Sequence, residues 1–421
     1  MSLKAALRSL PLGATESPVV INLEGTVSAK DFKATLRAAY AAAGPRCGLI
    51  TTSLWPTKYR VSAAAASGKV SSVDKTASGK KGSDSSPSGV GTGPKTIALS
   101  RPVLIKSASP ASRARIQLGG ALLLVCCPGV TLERVDICGV GRAGVGPTLE
   151  ARALLEVTAN ADLFMRECDI SFIAPTAPPR PPGALAAKSL PPRAPPPPPN
   201  CAGMVVEGGG RVVMERVRVC GAPRSYGMIV RGVGSQAKLD GCTVARNASS
   251  NVLACDGGVV QIGGGSTLEG SVRGFGLVAT DPSTTVYISD SAITGNSRDN
   301  VYCTDGARAS LERCTVAGSA LRSGVRVEGD GSCCAARGTE FGRNAEFAVR
   351  ASWGGWASVR GSMMADAAAD KTLVEGMDST CVTDSTHRSK PTWRFLTTAE
   401  RPWSQTQELT TIRQTFLTAD A

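Results

Sequence analysis

The chain has 421 residues, 42% apolar but only 4% aromatic, with 47 glycines and a formal charge of +13. The apolar share supports a sizeable core. So few aromatic residues argue against an ordinary globular-enzyme interior and for stacked strands of Val, Ile, Leu, Ala and Cys joined by tight turns. No stretch has the length and apolarity of a membrane span, and the opening residues show no apolar run of the secretory type, so an intracellular, cytoplasmic protein is expected.

The positive charge is uneven. Residues 1–120 hold 17 Lys/Arg against 5 Asp/Glu, and 174–200 add Arg180, Lys188 and Arg193 with no acid. The remainder is close to neutral. A basic end attracts acidic partners or simply keeps the chain soluble. The 14 cysteines follow no zinc-module spacing. The adjacent pairs Cys126-Cys127 and Cys333-Cys334 point to opposite faces of a strand.

In chain order, Ser28 reads as an N-cap with Asp31 three residues on. Phe32, Leu36 and Tyr40 make one helical stripe, and Gly44 fits a stop. CGLITT (47–52) reads as a strand, and 62–95 as a low-complexity disordered loop. Short strands follow: TIAL, PVLIKS, ARIQL, ALLLV and VTLERVDI. The proline-rich 174–200 interrupts the strands as a disordered insertion, either a linker or a polyproline ligand.

From 203 a register sets in. Gly203, Gly227, Asn251, Gly276, Asn300 and Gly324 each precede an apolar pair, at intervals of 24, 24, 25, 24 and 24. A 24-residue unit with period-2 alternation holds about three short strands and three turns, and Gly or Asn accepts the backbone of a corner. One such unit cannot bury its own apolar face; stacked units can. Glycine every few residues disfavours helical repeats, and propeller blades are longer and richer in aromatics.

These units, with the helix Ser28–Ala43, RPVLIKSASP and GVTLERVDI ahead of them, resemble the right-handed parallel β-helix of the pectate-lyase-like superfamily. The later units are similar to its repeats named for carbohydrate binding and sugar hydrolysis. Asn247, Asn296 and Asn344 stand where that family places turn asparagines. The resemblance implies an all-β solenoid of about ten coils with an N-terminal capping helix. Its parts are a cap over 1–45, the coil over 46–376, and a C-terminal capping or docking tail over 377–421 carrying Leu409, Ile412 and Phe416. In this frame Cys168, Cys242 and Cys314 share a column with Val135 and Val217, an interior stack of small apolar side chains. Cys138 and Cys220 form a second column.

Four groups invite chemistry. Asp256, Asp281, Asp305 and Asp330 recur behind successive repeat starts as an acid ladder, either catalytic, holding Ca²⁺ if the protein is a lyase, or turn residues bonding their own backbone. Glu133-Arg134, Glu215-Arg216 and Glu312-Arg313 repeat on one strand, with Asp240 and Glu269 continuing the acidic column; the arginines are expected inside or at a corner. Trp353 and Trp356 are candidate ligand-binding residues, for stacking on sugars or anchoring a partner, or else cover the end of the solenoid. A pectate-lyase-like base would be an arginine, with Arg231, Arg326 and Arg350 as candidates. The chain's one histidine, His387, lies beyond the repeats, so hydrolase and epimerase motifs that pair Asp with His are not found.

The expected function is a non-catalytic binding or scaffold protein that offers a flat repetitive face to a protein partner or an extended ligand, with no cofactor and no resident metal. The alternative is a carbohydrate-active protein, lyase, hydrolase or binding module, working on acidic polysaccharide. Nucleic acid is disfavoured because residues 1–120 lack a run of aromatic stacking platforms.

Overall fold

The computed structural model describes residues 18–43, 96–140, 153–158, 160–173, 201–364, 372–375 and 379–384. Three parallel sheets wrap one interior. Sheet A has twelve strands, from Val19–Leu23 to Thr380–Asp384; sheet B has eleven, from Thr26–Ser28 to Met363–Met364; sheet C has eleven, from Thr96–Leu99 to Thr372–Glu375. The chain visits A, B and C in turn. Each strand pairs in parallel with its equivalents one coil before and after, as Val286 does with Val260 and Ala309. Parallel crossovers are right-handed almost without exception. The chain is a right-handed parallel β-helix.

The helix α1 (Ala29–Ala42) is capped as expected: the Ser28 hydroxyl accepts from the Asp31 N–H at 3.2 Å. Phe32, Leu36 and Tyr40 join the core. One expectation fails here. Two strands, Val19–Leu23 and Thr26–Ser28, precede α1 rather than follow it, because VVINL alternates in register with Val103–Ser107. At the other end the strand Thr380–Asp384 pairs with Trp356–Arg360, so sheet A runs past residue 376. CGLITT, the segment 62–95, the insertion 174–200 and the residues from 385 onward, including Leu409, Ile412, Phe416 and His387, lie outside the described residues.

The interior consists of columns. On sheet B, Ile116, Ile137, Ile170, Val219, Val244, Leu268, Ile293, Val316 and Phe341 stack in register and are all buried. Each contributes about 1.5–3 kcal/mol of burial. The column Val135, Cys168, Val217, Cys242 and Cys314 is interior, as its composition implies. Burial pushes the Cys168, Cys242 and Cys314 thiols up to about 11, so they stay protonated packing groups. Cys138 and Cys220 also share a column, with Ser171 between them, but on the outer side of sheet B, out of phase with its isoleucines.

The three corners differ. Between A and B the chain turns on one left-handed residue: Arg134, Glu167, Arg216, Asp290 and Arg313 have φ of 58, 54, 52, 46 and 53°. The repeated arginines thus sit at the corner, and Arg216 pairs with Glu167 at 2.7 Å, Arg313 with Asp290 at 2.7 Å. Glu269 does not continue the acidic column. It lies on sheet B opposite Ala245 and Thr294, while Gly263 follows Asp240 on sheet A.

Between B and C, buried asparagines interlock. Asn247 Oδ1 accepts from the Ala222 N–H at 3.0 Å, and its Nδ2 donates to Asn251 at 3.0 Å. Asn251 reaches past the next coil to Asn296 Oδ1 at 3.0 Å, and Asn300 likewise to Asn344 at 3.0 Å. Asn296 also accepts from the Ser271 N–H and donates to Leu268 O and Asn300 Oδ1. Gly276 in the skipped coil leaves room for this reach: a Cβ there would stand 2.5 Å from Asn300 O and 2.6 Å from Asn296 Nδ2.

Candidate functional site

The acid ladder lies on the third corner, between C and A. Asp256, Asp281 and Asp305 have left-handed φ of 54, 78 and 53°, and Asp330 stands between Gly329 and Gly331, both also left-handed. Asp281 Oδ2 accepts from the Asp256 N–H at 3.2 Å, and Asp305 Oδ2 accepts from the Thr280 hydroxyl at 3.0 Å. These carboxylates stitch one coil's turn to the next, which is turn chemistry. Among the described residues no group of three or more His, Cys, Asp or Glu is placed to hold a metal ion. Trp353 continues this corner, left-handed and 65% exposed, whereas Trp356 opens a sheet A strand and is only 8% exposed. The two tryptophans therefore do not form one platform.

The same corner borders the outer face of sheet C, where a denser cluster stands. Its central outward column runs Val205, Ile229, Leu253, Val278, Tyr302, Arg326 and Arg350, in register coil by coil. The upper half is aliphatic and the lower half aromatic and basic. Phe275, from the B–C corner, stacks on Tyr302 with ring centroids 5.0 Å apart and planes at 15°. Arg298 lies over the Phe275 ring at 5.6 Å, and Arg326 over the Tyr302 ring at 5.4 Å. Each such contact adds about 0.5–2 kcal/mol and fixes the direction of a guanidinium.

Acids complete the cluster. Tyr302 donates to Glu328 at 2.9 Å, and Arg326 pairs with the same carboxylate at 2.6 Å. Glu346 lies 3.6 Å from both Arg322 and Arg350. Burial and the bond to Glu328 raise the Tyr302 hydroxyl above its ordinary value. Asp299 is 1% exposed; its Oδ1 accepts from the Ser323 N–H at 2.8 Å. Burial pushes its carboxyl up to about 6, against the Ser323 N–H, Arg326 and Arg322, which favour the charged form.

Of the arginines singled out in the sequence, Arg326 and Arg350 are neighbours on this face. Arg231 stands several coils above, paired with Glu207. Phe275, Arg298, Asp299, Tyr302 and Arg322 escape a reading by sequence. Their signal is a column in which Ile229, Leu253 and Val278 give way to Tyr302 and then arginine, visible only once the coils are aligned.

The fold is a right-handed parallel β-helix of three sheets. Three solved structures similar to this chain are the periplasmic alginate epimerase AlgG, the A-module of the Azotobacter vinelandii mannuronan C-5 epimerase AlgE6, and the siphovirus 9NA tailspike receptor binding domain. AlgG is 10% identical, with 69% of this chain and 76% of that one covered at a TM-score of 0.40. The AlgE6 module is 12% identical, with 70% and 80% covered at 0.26. The tailspike domain is 9% identical, with 72% of each covered at 0.32. No protein-family profile and no curated protein matches the chain. Among the described residues no helix is long and apolar enough to cross a membrane.

Proposed function

We propose that this protein binds an extended acidic polysaccharide along the outer face of sheet C. The observation that carries the reading is the set of arginines held on a rigid strip. Arg298, Arg322, Arg326 and Arg350 occupy neighbouring coils, two of them fixed by aromatic rings. Coils about 4.8 Å apart present these heads at regular steps, and guanidinium is the side chain best shaped for carboxylate. The excess charge of residues 1–120 and 174–200 supports steering of a polyanion toward the rod.

A catalytic reading has one observation in its favour. Asp299, with a proton affinity near neutrality, lies close to Tyr302 in sequence, and such a carboxyl is matched to proton transfer. Purified protein offered acidic and neutral polysaccharides, with and without Ca²⁺, separates the readings when bound and cleaved glycan are both scored. Binding confined to acidic glycans, weakened roughly tenfold by Arg326→Gln, is the expected result. Cleavage moves the protein to the enzymes. Equal retention of neutral glycans, or binding unchanged by Arg326→Gln, overturns the proposal.

A further inference from the structure

We propose that Asp299 is a proton-operated counter-ion of this face: ionised, it offsets part of the charge of Arg322 and Arg326, and protonated, it leaves that charge to a ligand carboxylate. The inference rests on the reading that sheet C binds an acidic glycan. Three observations carry it.

The first is position. Asp299 immediately precedes the repeat-start Asn300, and its equivalents in the other coils are Tyr226, Ser250, Phe275, Ser323 and Phe347. The corner therefore does not require an acid. Ser250 does for Phe275 what Asp299 does for Ser323: its hydroxyl accepts the N–H of the residue one coil on, at 3.2 Å. A serine would serve the fold, and the carboxylate is surplus to it.

The second is incomplete satisfaction. Asp299 Oδ2 is shielded from solvent and has no hydrogen-bond partner, and the Ser323 hydroxyl beside it also lacks one. A buried carboxylate left half-satisfied gains from carrying a proton.

The third is its charged surroundings. Arg322 and Arg326 favour the ionised form and Glu346 opposes it. Arg298 precedes it in the chain, Glu328 holds Arg326, and Glu346 lies beside Arg322 and Arg350. With Asp299 ionised, four arginines face three acids. With it protonated they face two, and the face gains a full positive charge without moving an atom of backbone.

By linkage, an anionic ligand must raise the proton affinity of Asp299 as much as the proton raises that of the ligand. The test is binding of a galacturonate oligosaccharide to the full chain between pH 5.0 and 7.5 at fixed ionic strength. The wild type is expected to bind roughly five- to tenfold more tightly at pH 5.0. Asp299→Ser and Asp299→Asn, checked for folding by their melting curves, are expected to hold the pH 5.0 affinity throughout. The same pH slope in wild type and Asp299→Ser overturns the counter-ion. If the oligosaccharide binds at no pH, the polysaccharide reading falls, and sulfate, fully ionised over this range, becomes the probe. Sulfate binding that follows pH only when Asp299 is present supports the counter-ion alone. Sulfate binding indifferent to Asp299, or none at any pH, overturns it, as does a carboxyl ¹³C titration of Asp299 with a midpoint at the ordinary aspartate value.

Discussion

The B–C and C–A corners carry side chains of nearly the same size at nearly the same period, yet they work in opposite ways. At the B–C corner the asparagines are buried and bond one another, both within a coil and from coil to coil. At the C–A corner the aspartates sit in left-handed turns toward solvent and make one bond or so to the next coil. An amide can be buried because it brings both donors and acceptors; a carboxylate brings only acceptors and stays where water completes it. Asp299 breaks this division, being an acid on the asparagine corner, and it is the acid whose proton affinity burial raises to about 6.

The largest effect is expected at Asn296. Asn296→Ala strands the Asn251 and Asn300 side chains, the Ser271 N–H and the Leu268 carbonyl. The expected loss is ~3–6 kcal/mol, read by urea denaturation. A loss below about 1 kcal/mol would mean that the ladder decorates the corner rather than holds it.

Next comes the displaced acid. With an ordinary value of 3.8 and a folded value of about 6, folded Asp299 keeps a proton that the unfolded chain has released. Its contribution to stability therefore falls as pH rises from 3.8 to about 6. The penalty levels off near ~3 kcal/mol above that window. Asp299→Asn is expected to be more stable than wild type at pH 7.5 by up to this amount and to lose the advantage by pH 4. Melting curves at the two pH values that differ by the same amount in both proteins would contradict it.

Gly276→Ala forces a methyl group against Asn300 O and the Asn296 side chain, with an expected cost of ~1–3 kcal/mol. The smallest effect belongs to the solvent corner. Asp305→Asn keeps a residue that tolerates left-handed backbone, so stability should stay within ~0.5 kcal/mol of wild type by the same denaturation measurement. A larger change would mark Asp305 as more than a turn residue.

These contrasts also show where the sequence is legible. The 24-residue period, the Val/Cys column and the Ser28 cap are local or strictly periodic, so the solenoid and its inner columns are readable from residue types alone. Alternation tells in from out but not which of three outer faces gathers the aromatic and basic side chains. Tyr302 and Arg326 occupy the position that Ile229 and Leu253 occupy above them, and the ring contacts that fix their meaning join one coil to the next. The acid ladder draws the eye because its spacing is regular, and regular spacing marks a turn. Asp299 interrupts a column of Ser, Tyr and Phe, and it is the exception that carries a charge into the interior. Glu269 shows the limit of counting: the position equivalent to Asp240 is Gly263, and Glu269 belongs to the next strand, on sheet B.

The asparagine bonds that skip a coil set an arithmetic on how this chain can grow. Asn247, Asn296 and Asn344 mark alternate coils, and Gly276 and Gly324 mark those between. The structural unit of this ladder is thus a pair of coils. Duplicating or deleting one coil would bring asparagine against asparagine or glycine against glycine and leave the reach unanswered. Moving two coils together would return the ladder to phase. Internal duplications in related chains are expected to come as pairs, and a two-coil deletion should keep its cooperative melt where a one-coil deletion loses it.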